Sequence, residues 1–270
     1  MMNYKKATTH LVIIFVLLLG YHLFLNITYS GYETAFNRWV VPVMALVMLY
    51  GSFFGFRGIK RMSISNAQSK GLLFASISTL FLGFGFLVWA YYAIFLDNDL
   101  PFPSFADYLW LLYTIFNIIA FFYFFKIFKS SINARKIITA IVFLLIVGYI
   151  VIQLVGVPMW GGEDGVGLNE TFFNFFYSVS DLILIVMSII ILTVAGGKIF
   201  SGLFIYNLGL IVMVAADLVF AFRETAEVYW QGDISDVLFS IAGFLFSLGI
   251  IMFVRKLSTI SDQSYIENNQ

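Results

Sequence analysis

Long apolar stretches separated by short polar clusters set the rhythm of this chain. Eight of them fall at about residues 8–28, 35–56, 71–96, 105–127, 135–157, 171–194, 200–222 and 235–255. A hydrocarbon layer about 30 Å thick takes about 20 residues of helix at 1.5 Å per residue, so each stretch predicts one membrane-spanning helix. The runs are continuously apolar and lack the period-2 alternation of a barrel strand, which excludes a β-barrel. The first stretch follows Lys5 and Lys6 as in a signal peptide, but no small-x-small cleavage site follows it. It reads as a retained first helix.

The polar punctuation predicts where helices begin. In PFPSFADYLW, residues 101–110, Pro101 and Pro103 cannot continue a helix and bias their predecessors toward extended backbone, so they end a loop. Ser104 then stands three residues before Asp107, the spacing of a capping box in which hydroxyl and carboxylate satisfy unpaired N–H groups of the first turn. Asp233 and Asp236 offer carboxylates at the same two positions in DISDVLF. Each also meets the positive end of its helix dipole, worth about 0.3 to 1 kcal/mol at an exposed end. Asp107 and Asp236 are therefore read as caps rather than as chemistry.

The same motifs expose a repeat. Gly71 to Lys126 and Gly202 to Lys256 match in length to within a residue; LVWA at 87–90 recurs as LVFA at 218–221, ADYLW at 106–110 as SDVLF at 235–239, and LLLGY at 17–21 as LIVGY at 145–149. The chain divides into two four-helix units, 1–132 and 133–257, followed by a polar tail, 258–270. An even number of spans per unit makes the repeat parallel, unlike the inverted repeats of many transporters.

Composition and charge add class and orientation. The chain is 61% apolar, 19% aromatic and 11% charged, which marks an integral membrane protein. Thirteen of the 15 basic residues, from Lys5 to Lys256, fall on one side of the predicted spans, against Arg38 and Arg223 on the other. That asymmetry predicts cytoplasmic N and C termini in a plasma membrane. The balanced net charge gives no reason to expect nucleic acid, and the absence of cysteine excludes disulfides, thiolate nucleophiles and Cys-ligated metals. The 32 Phe, 15 Tyr and 5 Trp are read as packing and interface belts, with Trp89, Tyr91, Tyr92, Trp110, Tyr229 and Trp230 near the outer boundary.

The stretch LGFGFLVWAYYAIFLDNDLPFPSFADYLWLLY, together with AADLVFA at 215–221, resembles the multi-helix membrane regions that precede prokaryotic histidine kinases and diguanylate cyclases. The resemblance covers about 110 residues in both copies. It implies a sensing module that couples to a cytoplasmic kinase or cyclase. Two departures stand out: Phe86 occupies the place of Asp217 in the first copy, and only a short polar segment follows Lys256.

Candidate site residues are the ionisable groups inside spans, since each costs roughly 2.5 to 3.5 kcal/mol to insert. Asp181 lies about 15 Å along its helix, with Asn174, Ser178 and Ser188 forming a polar stripe beside it. Asp217 and His22 lie in the outer parts of theirs, Asn26 one turn beyond His22. Asp181, Asp217, His22, Asn174 and Ser178 are the expected ligand-binding pocket, open to the outer leaflet. The plainer reading is interhelical hydrogen bonding, worth about 0.6 kcal/mol each. Arg223 stands about 240° around the axis from Asp217 and does not easily reach it, while an ion pair with a different helix stays open. No cofactor, metal or catalytic residue is expected: two histidines cannot make a three-histidine zinc site, and no nucleophile elbow, phosphate loop or H-E-x-x-H is present. Asn26 and Asn169 match glycosylation sequons, a common chance match.

The reading is an all-α, eight-span sensor of small or lipophilic ligands, embedded in the lipid bilayer and paired with a signalling protein and with itself as a homodimer. An intramembrane lipid hydrolase using Asp181 and Asp217 is the alternative, because AADLVFA also resembles lysoplasmalogenase-type hydrolases. A secondary transporter is disfavoured by the parallel repeat and the lack of paired mid-helix Gly or Pro breaks.

Overall fold

The computed structural model describes residues 4–29, 31, 34–60, 66–96, 98, 100–128, 134–151, 167–194 and 201–267. Among them every regular element is helical. Helix α1 spans Tyr4–Thr28, and a 3-10 turn, Asn37–Trp39, leads into α2, Val40–Ile59. Then come α3, Ala67–Tyr91, extended by a π turn over Tyr92–Leu96, and α4, Phe105–Phe128. The second half holds α5, Ala134–Val151, α6, Leu168–Val194, α7, Ser201–Thr225, and α8, Ile234–Glu267. All but α5 are, by length and composition, able to cross a membrane, seven in total among the described residues. The chain has the architecture of a polytopic membrane protein. Helix α5 falls on the predicted fifth stretch, whose last part, 152–157, lies outside the described residues, as do the 132/133 unit boundary and the acidic loop at 161–165.

Local chemistry accounts for the helix starts. The Asn66 side chain accepts the Ser69 N–H at 2.7 Å and caps α3. Pro42 sits in the first turn of α2, where its missing N–H breaks no helix bond. Ahead of α4 the capping box forms as its spacing predicts: the Ala106 N–H donates to Ser104 Oγ at 3.1 Å, while Asp107 Oδ2 accepts from the Ser104 N–H and hydroxyl.

Helix α8 is the hub, packed against α1, α2, α3 and α7. Helix α3 pairs with α2 and α4, and α6 lies against α4, α5 and α7. A bilayer offers no hydrophobic drive between helices, so close packing and hydrogen bonds must hold the bundle. Small residues supply the closeness. A Cβ at Gly249 would meet the Tyr206 N at 2.7 Å and the Gly202 carbonyl at 2.8 Å, which brings α7 and α8 backbone to backbone. Likewise Ser247 of α8 sits where a Gly51 side chain would be, and its hydroxyl donates to the Val47 carbonyl of α2 at 2.7 Å. Met44, Met48, Phe121, Phe124 and Phe246 fill the centre.

The two ends of the bundle differ in charge. One, the basic end, carries Lys60, Lys70 and Lys126, the last over the Phe122 ring at 4.4 Å. The other, the acidic end, carries the caps of α4 and α8, where Arg223 pairs with Asp233 and donates to the Val228 carbonyl at 2.8 Å. Two expectations shift. Helix α8 continues through residues 258–267, so most of the expected polar tail extends a helix. Trp89 and Trp230 are buried rather than set in an interface belt. Trp89 joins Trp110, Phe86, Phe220 and Tyr229 in an aromatic cluster with centroids about 5 to 6 Å apart.

Candidate functional site

The site gathers where α4, α6 and α7 meet, toward the acidic end. Asp107 anchors it. Its Oδ2 completes the α4 cap, and its Oδ1 accepts the Tyr177 hydroxyl of α6 at 2.6 Å. That bond sets the register of α6 against α4. Asp181, four residues on from Tyr177, shares its face one turn deeper. Asp217 is carried by α7, which packs against α6. Asp181 is 9% exposed and Asp217 half-buried.

The same helices carry buried polar atoms that lack partners among the described residues. Tyr113 lies on one face of α4 with Trp110 and Asn117, at i−3 and i+4. Among the described residues, the Tyr113 hydroxyl, Trp110 Nε1 and Asn117 Nδ2 are all buried without a hydrogen-bond partner, as are Ser188 Oγ of α6 and Asn207 Oδ1 of α7. Asn117 is half satisfied, because its Oδ1 accepts the Tyr206 hydroxyl of α7 at 2.8 Å. Buried polar groups in native proteins are nearly always paired, so these five atoms stand as exceptions to that rule.

Of the five residues expected to share a pocket, Asp181, Asn174 and Ser178 lie on α6 and Asp217 on α7, the helix packed against it. Ser178 and Asn174 are half-buried, with the Ser178 hydroxyl turned back to the Asn174 carbonyl at 3.1 Å. His22 is elsewhere. It lies buried between α1 and α8, its Nε2 2.8 Å from Ser240 Oγ and its Nδ1 3.4 Å from the Gly232 carbonyl, which also accepts from Asn26 Nδ2 at 2.9 Å. Its surroundings are those of an interhelical clasp. Arg223 takes Asp233 and not Asp217, in line with the helical-wheel argument.

Tyr113 and Tyr177 were not singled out by the sequence. Tyr177, at i−4 from Asp181, carried a usable signal; Tyr113 depends on helix pairing that leaves no local trace. Among the described residues no group of three or more His, Cys, Asp or Glu can hold a metal ion. A separate groove of about 490 Å³ lies between α3 and α4, lined by Phe84, Leu87, Val88, Tyr91, Phe105 and Leu109. It is apolar throughout and touches none of the site residues. No protein-family model matches this chain, and no curated protein or solved structure is found to be similar to it.

Proposed function

We propose that this chain is a membrane sensing module of eight spans in two parallel four-helix units, with both termini in the cytoplasm. It binds a small or lipophilic ligand at Asp181 and Asp217 from the outer face of the plasma membrane and relays a helix shift to a histidine kinase or diguanylate cyclase, working as a homodimer. The observation that carries this reading is α8. It is a single helix of 34 residues, about 51 Å long, starting at the acidic-end caps, touching four other helices and outrunning the bilayer core.

Matching contacts in the two halves support the repeat. Gly71 lies against Phe124 as Gly202 lies against Phe253. The Trp89–Trp110 pair, at 6.4 Å, has its counterpart in Phe220–Phe239, at 6.1 Å. Helices α2 and α8 meet across the halves as α6 and α4 do. The charge difference between the ends supports the orientation. The test is copurification from native membranes with a kinase or cyclase, followed by assay of that enzyme with and without the chain. A change of activity supports the reading; absence of any such partner sinks it.

A carboxyl group on each of the packed helices α6 and α7 supports the second reading, an intramembrane lipid hydrolase with Asp181 and Asp217 in general acid and base roles. Hydrolysis of a lysolipid by the purified protein, lost in Asp181→Asn, would select it over sensing.

A further inference from the structure

We infer that Lys70 and Lys126 form a binding site for the phosphate of an anionic phospholipid, at the basic end of the seam between α3 and α4. The site is separate from Asp181 and Asp217 and does not depend on the sensing reading. Lys70 stands in the first turn of α3 and Lys126 in the last turn of α4, antiparallel neighbours that meet closely where Gly71 lies against the Phe124 ring. Both ammonium groups converge on one ring. Lys70 Nζ lies 5.8 Å and Lys126 Nζ 5.4 Å from the Tyr123 centroid, and Lys126 also covers Phe122 at 4.4 Å. An aromatic face attracts a cation, so the Tyr123 ring gathers two positive charges that would otherwise stay apart. The lysine stems are thereby ordered before any ligand arrives, which lowers the entropy cost of binding one.

Their helices bring no acid to offset them. No Asp or Glu occurs from residue 40 to 96 or from 108 to 162, which takes in α2, α3, α5 and all but the first turn of α4. Asp262 and Glu267 ride the extension of α8 past Lys256. Among the described residues neither lysine has a carboxylate partner. Two like charges beside a low-dielectric layer are relieved by one bridging anion, and basic clefts between membrane helices take phospholipid head groups in this way. The surface below the lysines suits the rest of a lipid. Tyr123 stacks on Phe74 at 5.6 Å, Phe74 on Phe116 at 6.1 Å and Phe116 on Phe81 at 5.4 Å, with interplanar angles of 1°, 14° and 2°. All four rings are half-buried, so the open edge of this ladder faces the bilayer along the seam, from the lysine pair toward the middle of both spans. A phosphate between the lysines sits at head-group level with its acyl chain along the rings, a contact that free phosphate cannot make.

The test uses the full chain in dodecyl maltoside, titrated with dioleoyl phosphatidylglycerol or dioleoyl phosphatidylcholine, which share their tails and differ in net charge. Native mass spectrometry counts the bound lipid. Near a membrane surface each basic residue is worth about fivefold in affinity for an anionic lipid. Phosphatidylglycerol is therefore expected to bind about 25-fold more tightly than phosphatidylcholine, and Lys70→Gln and Lys126→Gln each to lose about fivefold of its affinity. The double variant should bind the two lipids alike. Arg135→Gln removes an exposed charge from the basic end of α5 and should change the affinity by less than about twofold. Equal binding of the two lipids to the unaltered protein overturns the inference without recourse to any variant. A loss in Arg135→Gln as large as in Lys70→Gln overturns it too, because diffuse attraction would then account for the preference. Displacement of phosphatidylglycerol by an equal concentration of inorganic phosphate overturns the assignment to a lipid.

Discussion

Asp107 divides its two carboxylate oxygens between two helices, closing the first turn of its own and holding Tyr177 of another. A lost cap costs about 1 kcal/mol, and a hydrogen bond to a charged group adds about 1.5 to 3 kcal/mol. Asp107→Ala should therefore destabilise the protein by about 2 to 4 kcal/mol, and Tyr177→Phe by less, since it keeps the cap. Thermal unfolding in detergent measures both; equal losses would mean that the cap contributes nothing. At this scale the sequence was informative wherever partners are neighbours. The Ser104 and Asp107 spacing disclosed the capping box because both ends of it lie within one turn. The contact with Tyr177 was not legible, because 70 residues separate the partners and only helix packing joins them. His22 shows the same limit from the other side. Its depth in a span is evident from the sequence, whereas its pairing with Ser240 rather than with the aspartates follows from α1 lying on α8.

Between elements, glycine decides how near two helices come. Gly249→Ala would put a methyl group against backbone atoms of Tyr206 and Gly202, which cannot turn aside as a side chain can. Overpacking of this kind costs about 1 to 3 kcal/mol. Gly20→Ala, in α1, meets nothing within 4 Å and should be neutral or stabilising by up to about 1 kcal/mol through helix propensity. Opposite signs of the melting-temperature change are the expected outcome, and a fall for both would discredit the packing argument. Apolar run length located the helix starts to within a few residues. It missed the far end of α8, where Ser258, Thr259 and Ser261 look like a tail yet continue the helix. Polar residues are as compatible with a helix in water as apolar ones are in lipid, so a hydropathy boundary marks where the medium changes and not where the helix stops.

For the whole molecule, the charge difference between the ends makes a prediction that the lack of cysteine renders easy to check. Ala226 and Lys60 are both exposed, at the acidic and basic ends respectively. A membrane-impermeant thiol reagent should label Ala226→Cys in intact cells and Lys60→Cys only after permeabilisation; the reverse pattern would invert the proposed orientation. The basic side was readable from Lys and Arg positions alone, while the hub position of α8 was not, since hydropathy is blind to which helix stands at the centre. In the proposed sensing role that hub would serve as a mechanical lever. A tilt of about 5° applied at the capped end of a rod about 51 Å long sweeps its far end through about 4 Å. A displacement too small to break the Asp107–Tyr177 bond next door would thus arrive at the basic end as a shift wide enough to change what another protein can grip.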